Sequence, residues 1–248
     1  MNLRLPVILA IAALLSACAT TAPRNPLAQW EPSPNVEERR PQLIVLHYTE
    51  QESVAQSLYT LSNVATPNRV SAHYLVGDDG RIYQLVSDAQ RAWHAGAGRW
   101  GTITDVNSAS IGIEIDNDGS EPYSEAQFAA LVRLLEDLST RHRIPRTQVI
   151  GHSDLAPTRK IDPGPRFPWK RLFDAGFGIW PQPGSMVDPP PGFDGWMAMR
   201  TIGYPLADRS AALRAFRTRF RARDDGPDLA PELDAEDLRI LHALTASP

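Results

Sequence analysis

PQLIVLHYTE, residues 41–50, decides the architecture. Leu43 to Leu46 are apolar without a break, the pattern of a strand covered on both faces. Its C-terminal end delivers His47. Working outward, SAHYLVGDDGRIYQLV (71–86) divides into two β-rich runs about Asp79-Gly80, a pair suited to a hairpin turn. SIGIEIDN (110–117) alternates Ile111, Ile113 and Ile115 against Gly112, Glu114 and Asp116, which sends Glu114 to the face opposite the isoleucines. QVIGHSD (148–154) reads as a short strand ending at His152. Between them, Ser124 to Arg143 predicts a helix. Ser124 and Gln127 form a capping box, Phe128, Leu131, Val132, Leu135 and Leu138 line one stripe, and Pro145 stops it. Strands, a hairpin and helices in this mixture predict an α/β domain over residues 36–182, a mixed central sheet flanked by helices.

Beyond this domain, Trp180 to Pro191 carries five prolines and no periodicity, so residues 183–198 read as a linker. Residues 199–248 form a small helical unit. One helix runs from Asp208 to Arg223 with Leu213, Phe216 and Phe220 inward. Another runs from Asp234 to Ala246, capped by Asp234, with Leu238, Leu241 and Leu244 on one side. So few apolar residues make this unit lean on the first domain.

The other end of the chain is a targeting signal. Met1 to Arg4 is short and basic, and the apolar run from Pro6 to Leu15 falls short of the about 20 residues a bilayer requires. Leu15-Ser16-Ala17-Cys18 then resembles a lipobox, which makes 1–17 a cleaved signal peptide and the Cys18 thiol the site of lipid attachment. Cys18 is the single cysteine, so no disulfide is expected. By similarity to Gram-negative lipoproteins, Ala19 in second place directs the anchor to the outer membrane, facing the periplasm. Residues 18–35, with Pro23, Pro26, Pro32 and Pro34, read as a tether. A net charge of −4 argues against nucleic acid as a partner, and a monomer is expected.

His47, His152 and Asp162 stand at strand ends or in the following loop. Two imidazoles and a carboxylate are what a catalytic zinc needs when its fourth position is kept for water. They are too far apart in sequence for a helix that carries both histidines on one face, and each histidine alone reads more readily as a hydrogen-bonded structural residue. Glu114 is a carboxylate in a very apolar strand, so it faces solvent on an edge, faces a cleft, or has a functional partner. Lys160 precedes Asp162 by two residues and in an extended loop would lie beside the same ion; otherwise it is a solvated lysine. After residue 18 the chain holds only two lysines, Lys160 and Lys170.

LIVLHYTE, VSAHYLVGDDGRIYQLV, RAWHAGAGRW, SIGIEIDN and VIGHSDLAPTRKIDPGPRFPW, in this order over about 36–175, together resemble the zinc-dependent N-acetylmuramoyl-L-alanine amidases of the amidase-2 type. The resemblance implies one zinc ion held by His47, His152 and Asp162, an acid/base role for Glu114 and a cationic stabiliser in Lys160. It implies a peptidoglycan or muropeptide substrate, cut between N-acetylmuramic acid, or its 1,6-anhydro form, and L-alanine. Members that bind without cutting have typically lost a metal ligand, and none of these five positions departs from the pattern. His73, Trp93, His94 and Asn117 are candidate substrate contacts, with core packing as the other reading for the first three. His142 and His242 lie towards helix ends, where the dipole accounts for them. AALRAFRTRFR and LDAEDLRIL resemble a peptidoglycan-binding helical unit; a helical cap with solvated arginines is the alternative. A recognition lipoprotein without turnover, and a zinc peptidase cutting within the stem peptide, are the competing functions.

Overall fold

The computed structural model describes residues 39–63 and 70–246. Glu38–Pro248 forms one compact unit. Residues 1–35, read as a signal peptide, the lipidated Cys18 and a tether, lie outside the described residues.

Five strands make one sheet in the order β3-β2-β4-β1-β5. They are β1 (Leu43–Tyr48), β2 (Tyr74–Val76), β3 (Ile82–Gln84), β4 (Ser110–Ile115) and β5 (Val149–Gly151). The pairs β1–β4, β1–β5 and β2–β4 are parallel and β2–β3 is antiparallel, so the sheet is mixed as expected. β1 lies between β4 and β5, and Leu43 to Leu46 are all buried, in agreement with the unbroken apolar run. The Asp79-Gly80 turn joins β2 to β3, and the Gly77 N–H donates to the Arg81 carbonyl at 2.9 Å. Gly80 holds φ 79°, and a Cβ there would come within 2.7 Å of the Ala126 carbonyl oxygen.

Eight α-helices, with one 3-10 turn at Arg146–Gln148, complete the described chain: α1 (Val54–Ser62), α2 (Val106–Ala109), α3 (Glu125–His142), α4 (His152–Leu155), α5 (Trp169–Asp174), α6 (Gly195–Ile202), α7 (Arg209–Arg221) and α8 (Ala235–Ala246). In α3 the capping box between Ser124 and Gln127 is formed, and Arg143 ends the helix in the left-handed conformation. β5 is shorter than the sequence reading. His152 already begins the single turn α4, and the Asp154 side chain accepts the Gly151 N–H at 2.8 Å. α6 starts inside residues 183–198, read as a linker, because Asp194 caps the N–H groups of Trp196 and Met197.

Alternation along the strands divides the core in two. Ile44 and Leu46 of β1 and the three isoleucines of β4 pack with Phe128, Leu131, Leu135 and Leu138 of α3. Leu43 and Val45 of β1 and Ile150 of β5 pack instead with Met199, Leu213, Phe216, Phe220 and Leu241 of α6 to α8. The C-terminal helices therefore share a core with the second face of the sheet. Period 2 puts His47, Glu114 and His152 on that second face, past the end of its apolar layer.

Candidate active site

β1 and β4 run in register with His47 opposite Glu114, so one parallel pair presents both side chains at the same edge. β5 flanks β1 on the other side, with Leu46 opposite Gly151, and the next residue, His152, follows in line. Asp162 arrives from the loop after α4, where its carbonyl accepts the Ser153 N–H at 2.9 Å. Three sequence-distant residues thus converge through strand register and one short loop.

The three ligand-type atoms form a small triangle. His47 Nδ1 lies 3.0 Å from His152 Nδ1 and 2.9 Å from Asp162 Oδ2, and His152 Nδ1 lies 3.1 Å from the same oxygen. Ligands at about 2.0–2.1 Å around a tetrahedral ion are about 3.3 Å apart, so this triangle fits one face of such a shell. The other ring nitrogens are engaged elsewhere: His47 Nε2 lies 3.1 Å from His94 Nδ1, and His152 Nε2 lies 2.9 Å from the Ala95 carbonyl. All three residues are buried, and they form the one group among the described residues with the donors and spacing for a metal ion.

Electrostatics agree with that use. Burial, then the neighbouring His152, lowers the His47 pKa to about 4, so the ring is neutral at neutral pH. For Asp162, burial opposes ionisation, but its interaction with the His152 and His47 rings outweighs it and holds the carboxyl well below its ordinary range. Burial pushes Glu114 well above the usual carboxyl value; the Asp162 charge adds to this and Lys160 opposes it. Glu114 Oε2 is buried and has no hydrogen-bond partner among the described residues. A polar atom left so at the wall of an open cleft is poised for something that enters it.

That cleft has a volume of about 400 Å³, and its walls include His47, His94, Glu114, His152, Lys160 and Asp162. All five residues to which the sequence assigned chemistry line it. Trp93 stands at its rim, 52% exposed, with the Arg91 guanidinium 4.5 Å from the ring centroid. His94 reaches the cleft but is buried behind His47. His73 and Asn117 are not among the lining residues. His73 is fully buried, accepting the Gly112 N–H at Nδ1 and contacting the Gln90 carbonyl through Nε2. Asn117 is buried too, its side-chain amide donating to the Glu121 carbonyl and its oxygen accepting from the Gly119 N–H. His142 is paired with Asp88 at 2.8 Å, and His242 packs edge-on against Phe193.

Several residues that shape the site went unread in the sequence. Gly112 is one: a Cβ there would stand 2.3 Å from His94 Cγ, so the glycine makes room for that ring. Asn107, on α2, accepts the backbone N–H groups of His94 and Ala95 with one side-chain oxygen, at 3.1 and 2.9 Å. Asp154, two residues past His152, is fully buried. Its carboxylate takes the Tyr204 hydroxyl at 2.6 Å and Arg219 at 2.5 Å, besides the Gly151 N–H. A glycine at position 112, among the residues that alternate with the isoleucines, was the only local sign of any of these.

With the geometry in hand, likeness to known proteins becomes informative. Residues 37–165 match the family Amidase_2, N-acetylmuramoyl-L-alanine amidase. The chain is 40% identical over 158 residues to the N-acetylmuramoyl-L-alanine amidase AmiD of Escherichia coli, a match covering 57% of this chain and 55% of that protein. It is 39% identical over 108 residues to the 1,6-anhydro-N-acetylmuramyl-L-alanine amidase AmpD of Haemophilus influenzae, covering 43% and 59%. The chain thus spans little more than half the length of these curated relatives. In three dimensions it resembles E. coli AmiD in complex with anhydro-N-acetylmuramic acid-L-Ala-D-gamma-Glu-L-Lys. The TM-score is 0.72 at 32% identity, over 87% of this chain and 92% of that one. AmpDh3 of Pseudomonas aeruginosa in complex with anhydromuramic pentapeptide gives 0.71 at 33%, over 91% and 98%.

Proposed function

The chain belongs to the Amidase_2 family of N-acetylmuramoyl-L-alanine amidases, and from that premise we propose that it is a zinc-dependent peptidoglycan amidase of cell-wall turnover or recycling. It cuts the amide between the lactyl carbonyl of N-acetylmuramic acid, or its 1,6-anhydro form, and the amine of L-alanine. The observation that carries this reading is the unpartnered Glu114 carboxyl, in register with His47 beside the His47–His152–Asp162 triangle, in an open cleft.

His47, His152 and Asp162 would hold the ion, leaving the cleft side of the triangle for water and substrate. When bound, zinc supplies Lewis acidity, activating water at neutral pH and drawing charge from the carbonyl. Glu114 accepts the proton of the attacking water, and the burial that raises its pKa makes its carboxylate a stronger base. Lys160, on the cleft wall, faces the oxygen on which negative charge develops. Glu114 then returns the proton to the departing amine. A C–O bond forms, the C–N bond breaks, and a free lactyl carboxylate and a free stem peptide leave. Trp93 offers an exposed ring for stacking against a sugar or stem at the rim.

The same reading keeps Cys18 as a lipid anchor in the outer membrane, 18–35 as the tether, 36–182 as the amidase domain and the helices of 199–248 as added affinity for the wall. Mass spectrometry of purified peptidoglycan and anhydromuropeptides after incubation with the enzyme tests the reaction. Free stem peptide is expected. No release with zinc present leaves a recognition protein, and a peptide fragment still attached to muramic acid means a peptidase. Glu114→Ala lowers turnover by about 10²–10⁴-fold while elemental analysis still finds about one zinc per chain.

A further inference from the structure

We propose that the dipeptide His94-Ala95 sets the ring tautomers of both histidine ligands, so that His94 is a positioning residue of the metal site rather than a substrate contact. The inference rests on the metal-centre reading above, but its evidence is a proton inventory along a buried chain of contacts.

The chain starts at the Val106 carbonyl, which can only accept. Ser110 Oγ lies 2.5 Å from it, so the single hydroxyl proton of Ser110 points there. Ser110 Oγ is also 3.2 Å from His94 Nε2, and with its proton committed it accepts in that contact. His94 therefore carries its proton on Nε2 and a lone pair on Nδ1. That lone pair lies 3.1 Å from His47 Nε2, which must then be the protonated nitrogen of His47. A neutral ring has one proton, so His47 Nδ1 is left bare, aimed at His152 and Asp162. The reverse polarity would put a proton on His47 Nδ1 and block it as a ligand.

His152 is set by the neighbouring residue. Its Nε2 lies 2.9 Å from the Ala95 carbonyl, which again only accepts, so Nε2 donates there and Nδ1 is the nitrogen turned towards His47 and Asp162. The Arg159 guanidinium donates to the same carbonyl at 2.9 Å and holds it in place. One backbone step thus orients both rings, through a side chain at 94 and a carbonyl at 95. Asn107 fixes that step by accepting both N–H groups, and Gly112 leaves space for the His94 ring. Outer-shell partners of this kind typically change metal affinity by about 10–100-fold.

Long-range proton–nitrogen NMR on the full chain, stripped of metal and labelled in its histidines, reads the tautomers directly. Protons on Nε2 of His47, His94 and His152 are expected; a proton on Nδ1 of His47 overturns the proposal. Zinc affinity, from competition with a chromophoric chelator, is the second readout. His94→Phe and Ser110→Ala each weaken zinc by about 10–100-fold. His94→Gln, whose amide oxygen can accept from His47 Nε2, recovers most of the His94→Phe loss. Unchanged affinity in His94→Phe sinks the idea, as does a glutamine variant no better than phenylalanine. A wild-type chain with the expected tautomers but no affinity for zinc would instead defeat the metal reading and leave the hydrogen-bond relay standing.

Discussion

The two faces of the sheet use the same strands in opposite ways. On one, Ile44, Leu46, Ile111, Ile113 and Ile115 meet the stripe of α3 in a layer built of apolar and aromatic side chains. On the other, the apolar layer begins with Leu43, Val45 and Ile150 and then gives way to imidazoles and carboxyls. The helices behind it bury ionised groups as well: Arg219 with Asp154, and Arg217 with Asp237 at 2.6 Å. The first face is stabilised by area removed from water, which is forgiving of chemistry. The second depends on every charge meeting its partner, because a buried charge left alone is costly. Chemistry at the strand ends is possible because the first face anchors the strands that carry it.

Substitutions can sharpen or break this contrast. The largest effect is expected from His47→Ala or Asp162→Ala: loss of bound metal by elemental analysis and of detectable stem-peptide release, with the α3 face unaltered. Retained metal in either variant would break the assignment of the triangle. Arg219→Met should cost about 3–5 kcal/mol in chemical denaturation, since it strands Asp154 without its cation. It should also weaken zinc binding, because Asp154 braces the turn that begins at His152. Leu135→Ala, on the apolar face, should cost about 2–5 kcal/mol by cavity formation and leave zinc affinity unchanged. A fall in zinc affinity there would mean that the faces are not independent.

The smallest effect concerns pH. Burial disfavours ionised Asp88, but hydrogen bonds from His142, Tyr74 and Arg141 prevail and lower its pKa in the folded protein. Its contribution is therefore full above the unfolded carboxyl value of about 3.9 and fades as pH falls through the lower folded value. Asp88→Asn should flatten that acid limb of the stability curve.

The sequence spoke clearly where one residue type implies one local geometry. The apolar run at 43–46 implied a strand buried on both faces, Asp79-Gly80 a hairpin, and Ser124 with Gln127 a helix start, and each is present. The convergence of His47, His152 and Asp162 was legible as a set of ligand types at strand ends, while their spatial meeting depends on register. What stayed hidden is long-range and polar. Nothing local in Asp154 announces Tyr204 and Arg219, which lie 50 and 65 residues on. His73 immediately precedes β2 and His94 lies in the loop between β3 and β4, yet both are buried; one accepts the Gly112 N–H and the other backs a ligand. Pairings of this kind are set by the tertiary fold, and periodicity carries no trace of them.

Asp154 also limits how this chain can be shortened. Its negative charge is met by groups from β5, from the segment after α6 and from α7, so the C-terminal helices supply the counter-ion for the turn beside the ligands. Removing those helices to isolate a minimal catalytic core would expose apolar surface and leave that carboxylate unmatched next to the reaction centre. A shortened version should thus need a neutral residue at 154 in the same step, and the paired change should tolerate truncation that the natural residue does not.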